Sequence, residues 1–253
     1  MKNALVTITT DFGDDFALAQ LKAVLLTQNP QVEFITISNQ TNKFSILEGA
    51  FIVANACNLF PQGTIHLGII DPGVGSNRQG VVIQTDDYFF VGPNNGLFAP
   101  AIKDKKFELF KINEQLVNKN HSSTFHGRDI FAKVAGLLSK GSYPLDFCTP
   151  LKTSAFVWLK FKHNQLLHID PYGNLKINNS CSDFKIGDIL IVQLENKKIK
   201  VPFVKTFSNV QPHSILSYKG SHNILEVAQN LGSANQVLNL SAGDIIKITK
   251  EVN

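Results

Sequence analysis

The stretch ALVTITTDFGDDFALAQLKAVLLTQNPQVEFITI, residues 4–37, decides the fold. Its first six residues, ALVTIT, are apolar and β-branched, the composition of a buried strand. DFALAQLKAVLLTQ (15–28) changes to helical spacing and stops at Asn29-Pro30, because proline cannot continue a helix. VEFITI (32–37) returns to strand. The alternation then repeats outward. Ser45-Ile-Leu-Glu48 predicts a capping box, the serine oxygen taking an orphan amide and the glutamate reaching back. That second helix runs through FIVANACNL to Pro61, and TIHLGII (64–70) predicts a third strand. Strand, helix, strand, helix, strand is the order of a parallel sheet with covering helices. VVIQT and YFFVG predict a hairpin, and RDIFAKVAGLLSKG (128–141) a helix closed by Gly141.

Beyond LKTSAFVWLKFKH the character changes to short strands and turns: QLLHID, PYGN, LKIN, DILIVQL, KIKVPFV and SILSYKG, with GDIIKITK at the end. A short helix is expected near NILEVAQNLG. The fold class expected is α/β. An N-terminal Rossmann-like, mostly parallel α/β sandwich domain (residues 1–155) precedes a linker (156–164) and a smaller C-terminal β-barrel-like domain (165–253).

The 253 residues suffice for one large domain or two smaller ones, and 43% hydrophobic with 17% charged residues is a globular composition. The net charge of +4 is spread out; the pairs Lys105-Lys106 and Lys197-Lys198 read as solvated surface. No basic stripe points to nucleic acid. Cys57, Cys148 and Cys181 are far apart, so no metal site is expected from cysteine spacing. Three scattered cysteines fit a reducing compartment. With no signal-peptide pattern and no bilayer-length apolar run, a soluble cytoplasmic protein is the expectation.

Ligands of open parallel sheets sit beyond the carboxyl ends of the strands. Strand one ends in Thr10-Asp11-Phe12-Gly13, strand three in Asp71-Pro72-Gly73, and YFFVG in Pro93-Asn94-Asn95-Gly96. Two carboxylates and two amides thus converge on one edge. Each taken alone fits an Asx turn or a cap as well as a ligand site. The chain lacks GxGxxG after strand one and lacks GxxxxGK[ST], which removes the usual support for dinucleotide or nucleoside triphosphate binding. Of the histidines, His66 lies within a strand and reads as structural, whereas His126 stands before a glycine at a helix start.

Five stretches carry more together than singly: TTDFG (9–13), FPQGTIHLGIIDPGVGSNRQG (60–80), VGPNNGL (91–97), TFHGRDIFAKVAG (124–136) and IDPYGN (169–174). In order and along nearly the whole chain they resemble the S-adenosylmethionine (SAM) hydroxide adenosyltransferases, or SAM hydrolases, relatives of the fluorinases and chlorinases. The resemblance implies attack of water on the 5′ carbon of SAM, giving adenosine and methionine, with SAM as substrate and no cofactor. It implies a homotrimer with sites at subunit interfaces. It implies a catalytic triad of Asp71, Arg78 and His126, all present. It also implies substrate contacts: Asp11 to the ribose hydroxyls, Asp170 to the methionine ammonium, Tyr172 stacking on adenine, Asn174 to the purine edge, Ser221 to the methionine carboxylate, and Asn94 at the VGPNNG turn.

The sequence also departs from that pattern. The segment after TDFG is short and lacks a tyrosine, Asn39 stands where His is common, Asn94 replaces an aspartate, and Gly220 replaces the asparagine before Ser221. The expected chemistry has Arg78, always charged, polarising the water, while His126 accepts its proton and Asp71 holds the histidine tautomer. Two other functions fit the same residues: a chlorinase-like 5′-halogenase, and a SAM- or adenosine-binding protein without turnover.

Overall fold

The computed structural model describes residues 4–194 and 198–251, so that Lys197 of the Lys197-Lys198 pair lies outside them. The chain divides at Lys160/Phe161 into two compact units.

The first unit is built on a seven-stranded sheet. In chain order its elements are β1 (Leu5–Thr10), α1 (Ala17–Gln28), β2 (Glu33–Ser38), α2 (Ile46–Ala56), β3 (Ile65–Ile69), β4 (Gly80–Thr85), β5 (Phe89–Pro93), α3 (Ala99–Ile102), β6 (Phe107–Ile112), α4 (Glu114–Val117), α5 (Ala132–Ser139) and β7 (Cys148–Leu151). The strand order is β2-β1-β3-β5-β4-β6-β7. The β2-β1-β3-β5 half is parallel, as the alternation of strands and helices requires. The β4-β5 hairpin turns the rest antiparallel.

Successive side chains of a strand face opposite sides, and each side here has its own core. Val82, Val91 and Phe110 join Leu21, Leu25, Phe131 and Ala135 under α1 and α5. Their sequence neighbours Val81, Ile83, Phe90 and Leu109 join Val53, Leu97, Phe98 and Ile102 under α2 and α3. This is the sandwich expected. His66 is structural: its Nδ1 lies 2.7 Å from Thr7 Oγ1, and its ring packs against Phe60, Tyr88 and Phe90.

Two helix ends differ in detail from the sequence reading. The Ser45 hydroxyl accepts the Glu48 N–H at 3.3 Å, but the Ser45 N–H is already given to the Asn42 carbonyl, and the glutamate carboxylate takes the Asn42 N–H. The helix expected from residue 128 starts as a π-helical turn, Gly127–Phe131, before α5. Its end is as expected. Gly141 takes φ +89° while the Gly141 and Ser142 N–H groups return to the Leu138 and Leu137 carbonyls, a Schellman closure.

The second unit holds β8 (Leu166–Ile169), β9 (Leu175–Ile177), β10 (Ile189–Gln193), β11 (Lys198–Pro202), β12 (Ile215–Lys219), β13 (Leu225–Gln229), α6 (Ala234–Leu238) and β14 (Lys247–Lys250). Two antiparallel sheets, β12-β13-β9-β8 and β11-β10-β14, stand where a barrel-like arrangement was expected. The helix expected near NILEVAQNLG is a strand, β13, and the helix follows it. Leu225 and Val227 point into the core. Between them Glu226 faces Lys176 and Tyr218 on the neighbouring strands, so cross-strand partners override a helix-favouring composition.

Candidate active site

Because β1, β3 and β5 are parallel neighbours, their carboxyl ends share one edge of the sheet. β6 runs the same way as β5, since both are antiparallel to β4. Asp11, Asp71, Asn94 and Glu114 therefore follow strands that end on that edge.

The β3–β4 connection folds Asp71 and Arg78 together. Val74 N–H returns to the Asp71 carbonyl and Ser76 N–H to the Gly73 carbonyl. Gly75 sits at φ +76°, where a Cβ would lie 2.8 Å from the Ser123 carbonyl oxygen, so neither the turn nor the neighbouring loop leaves room for a side chain. Arg78 Nε reaches both Asp71 oxygens at 2.9 Å, and Nη2 reaches Oδ2 at 2.6 Å. Both side chains are largely buried, 10% and 7% exposed. The guanidinium lies over the Phe131 ring at 5.1 Å.

His126 enters from the loop before the π turn. Asp129 anchors that loop by accepting the Ser122 N–H and pairing with Arg128, so the Arg-Asp of FHGRD has a local structural role. Arg78 Nη2 lies 3.0 Å from His126 Nδ1. An arginine only donates, so Nδ1 is the acceptor and a neutral ring carries its proton on Nε2. This corrects the expectation that Asp71 holds the histidine tautomer. Arg78 stands between them and sets it instead, because both aspartate oxygens are already on the guanidinium. Burial pushes the His126 pKa below the ordinary imidazole value. The Glu114 carboxylate pulls it up, while the Arg78 charge pushes it down again.

Asp71 and His126 line a cleft of about 220 Å³ together with Asp11, Phe12, Phe44 and Phe125. Asp11 Oδ2 accepts the Phe44 N–H at 2.7 Å, and Phe44 holds φ +66°, a costly conformation for a phenylalanine, at the cleft wall. Asn39 ties the TDFG turn to β2, receiving the Thr10 hydroxyl and donating to the Gly13 carbonyl. Asn94 is elsewhere. Its Nδ2 donates to the Ala155 carbonyl and its Oδ1 accepts the Val157 N–H, both at 2.9 Å, so both ends of its buried amide are tied to the scaffold.

Four of the residues singled out in the sequence line a cavity of the second unit: Asp170, Tyr172, Asn174 and Ser221. Asp170 Oδ1 accepts the Tyr172 and Asn174 N–H groups, and Oδ2 accepts Asn174 Nδ2, all at 3.0 Å. These bonds build the PYGN turn and leave Tyr172 78% exposed. Lys176 Nζ lies 3.7 Å from Asp170 and 2.9 Å from Glu226, which also accepts the Tyr218 hydroxyl at 2.7 Å.

Sequence reasoning passed over Glu114 and His121. Glu114 lies 3.6 Å from His126 Nδ1 and 3.9 Å from Arg78 Nη1, and His121 Nε2 lies 3.7 Å from its other oxygen. The strand-end rule applied to FELFKI would have found Glu114. His121 belongs to no motif.

Residues 6–148 match the model of the SAM hydroxide adenosyltransferase N-terminal domain, and residues 164–247 that of the SAM hydroxide adenosyltransferase C-terminal domain. The chain is 30% identical to the (R)-S-adenosyl-L-methionine hydrolase of Methanocaldococcus jannaschii, over 96% of this chain and 95% of that protein. It is 29% identical to the (R)-S-adenosyl-L-methionine hydrolase of Salinispora tropica, over 96% and 97%. A crystal structure of an uncharacterized conserved protein from Thermotoga maritima shares the fold with a TM-score of 0.88 and 31% identity, covering 96% of this chain and 100% of that one.

Proposed function

Since the chain belongs to the SAM hydroxide adenosyltransferase family, we propose that it is an enzyme that hydrolyses SAM at the ribose 5′ carbon to adenosine and L-methionine. The observation that carries this reading is the contact chain Asp71–Arg78–His126 at the wall of the first unit's cleft. The thioether of SAM leaves as a neutral group and needs no general acid. The demand falls on the water, which must be held in line with the C–S bond and polarised.

In this reading Asp71 fixes the guanidinium with both oxygens. Arg78 Nη1, a buried donor with no hydrogen-bond partner among the described residues, and the His126 Nε2–H are the donors for that water. With Nδ1 committed to Arg78, the ring orients rather than abstracts. These donors stabilise negative charge on the oxygen, so the bound water loses a proton to solvent, and the resulting hydroxide keeps a lone pair for the 5′ carbon; the C–O bond forms as the C–S bond breaks, and the thioether leaves neutral. Asp11 takes the ribose hydroxyls and Tyr172 supplies the face for adenine. Asp170 and Asn174 act first on the turn that presents Tyr172, and Ser221 on the amino-acid end. Asn94 is left out of the substrate contacts. The assembly proposed is a homotrimer, for which light scattering would read three times the 27.9 kDa of the chain. Cytoplasmic residence fits three buried, unpaired cysteines and described helices that are all too short or too polar to cross a membrane.

The test is incubation of purified protein with SAM, with and without chloride, and chromatography of the products. Adenosine and methionine in both buffers support the reading. Chloro-adenosine formed with chloride would make the protein a halogenase. SAM recovered intact would leave a binding protein.

A further inference from the structure

Glu114, His121 and His126 bring three lone-pair donors together without a hydrogen between them. His121 Nδ1 lies 2.8 Å from the Asn118 carbonyl, which can only accept. Nδ1 therefore carries the proton, and Nε2 of the neutral ring points a lone pair at the Glu114 carboxylate 3.7 Å away. His126 Nδ1 is likewise an acceptor, toward Arg78, and faces the other Glu114 oxygen at 3.6 Å. The three acceptors repel one another, and the guanidinium beside them, bonded to His126 and 3.9 Å from Glu114, is already shared with both Asp71 oxygens and leaves His121 Nε2 facing the carboxylate without a proton between them.

The separations argue for which cation. At 3.6 and 3.7 Å the pairs are too far apart for hydrogen bonds. Ligands on a tetrahedral zinc ion with bonds of ~2.0–2.1 Å lie ~3.3–3.4 Å apart. One atom from each of the three residues falls within 4.8 Å of the others, so small side-chain rotations close the set. A backbone carbonyl on the far nitrogen of a histidine is the usual second partner of a metal-ligating imidazole. The charges agree: with both histidines neutral, Asp71, Arg78 and Glu114 leave one net negative charge, and Asp71 offsets the guanidinium that stands nearest.

We propose that Glu114, His121 and His126 form a site for a borderline-soft dication of the zinc class, and that filling it inhibits the enzyme. The metal takes the Nδ1 lone pair of His126 that Arg78 otherwise holds, which uncouples the ring from the guanidinium. Binding itself does not depend on the proposed reaction; the inhibition rests on that reading.

The experiment titrates zinc into the chelator-treated full chain in competition with a chromophoric chelator, and follows cobalt(II) absorption as an independent report of nitrogen and oxygen ligation. SAM hydrolysis is measured on the same samples. We expect one equivalent per chain, binding at least ~10-fold weaker in His121→Gln and in Glu114→Gln, and inhibition that a chelator reverses. His121→Gln, tested without zinc, should turn over like the unaltered protein and resist added zinc. Absence of stoichiometric binding, or equal binding by the unaltered protein and both variants, overturns the site. Variant-sensitive binding with hydrolysis unaffected overturns the inhibition and leaves the site.

Discussion

Replacing Arg78 by lysine separates charge from geometry. The arginine makes three donor contacts to Asp71 and one to His126, using Nε and Nη2 in a planar fork. A lysine ammonium keeps the positive charge but has one nitrogen, which cannot hold both partners at those positions. Asp71 keeps a counter-charge, so the buried carboxylate is not abandoned. Truncation to alanine would abandon it at a cost of ~3–5 kcal/mol, a large share of the ~5–15 kcal/mol that holds a typical domain together. Arg78→Lys is thus the variant whose activity can be read without unfolding. Losing one preorganised donor at a reacting oxygen costs ~2.7–4 kcal/mol, a fall of ~100–1,000-fold in kcat. In the proposed reading Arg78 meets the water and no part of SAM, so KM should stay within about threefold. The assay is the initial rate of adenosine release at saturating SAM, with a thermal melt on the same preparation. A kcat within about threefold of the unaltered enzyme at an unchanged melting temperature would refute the role given to the guanidinium.

Asn94→Ala should lower stability by ~1–3 kcal/mol, since it removes the two hydrogen bonds by which the buried amide holds the Ala155 carbonyl and the Val157 N–H; kcat and KM of the folded fraction should be unchanged, and a raised KM alone would make Asn94 a substrate contact after all. His66 is pushed by burial from 6.5 to about 4, so between those values the unfolded chain binds the extra proton and stability falls as pH falls. Denaturant unfolding at about pH 7 and pH 4.5 should show ~2–3 kcal/mol of loss from this group, absent in His66→Gln; equal losses in the two proteins would sink the assignment. Gly220→Ala would set a Cβ 2.1 Å from Glu226 Oε1, so the carboxylate must leave Lys176 and Tyr218. A melting temperature lower by several degrees is expected, from ~1–3 kcal/mol of broken buried polar contacts; an unchanged melt would mean that Glu226 re-packs freely.

The first unit was legible because its elements state their period locally. ALVTIT and DFALAQLKAVLLTQ each carry their own spacing, and Asn29-Pro30 and Gly141 mark their own helix ends. The second unit was less so. NILEVAQNLG contains good helix formers, and only the placement of β9 and β12 on either side reveals Leu225 and Val227 as one face of a strand. Propensity is a weak prior against two neighbouring strands with partners for Glu226. The partners of Asn94 were hidden in the same way. Nothing near VGPNNG announces that residues 155 and 157 return to clasp its amide.

The triad shows where sequence stops informing chemistry. DPGVGSNR and FHGRD name the three residues, but not which stands in the middle, and the proposed mechanism turns on that. Had Asp71 met His126, the ring would be primed to take a proton. With Arg78 between them, the ring accepts a hydrogen bond on Nδ1 and presents Nε2–H, so it becomes a donor. The difference is set by a turn in which Gly75 adopts φ +76° against the Ser123 carbonyl, and by a π turn that swings His126 inward. Neither has a period or composition of its own. Glu114 and His121 are further still from any motif, seven residues apart in FELFKINEQLVNKNH, on a stretch whose course depends on β6 being carried to the edge by its pairing with β4. They can nonetheless decide whether His126 faces a guanidinium or a metal.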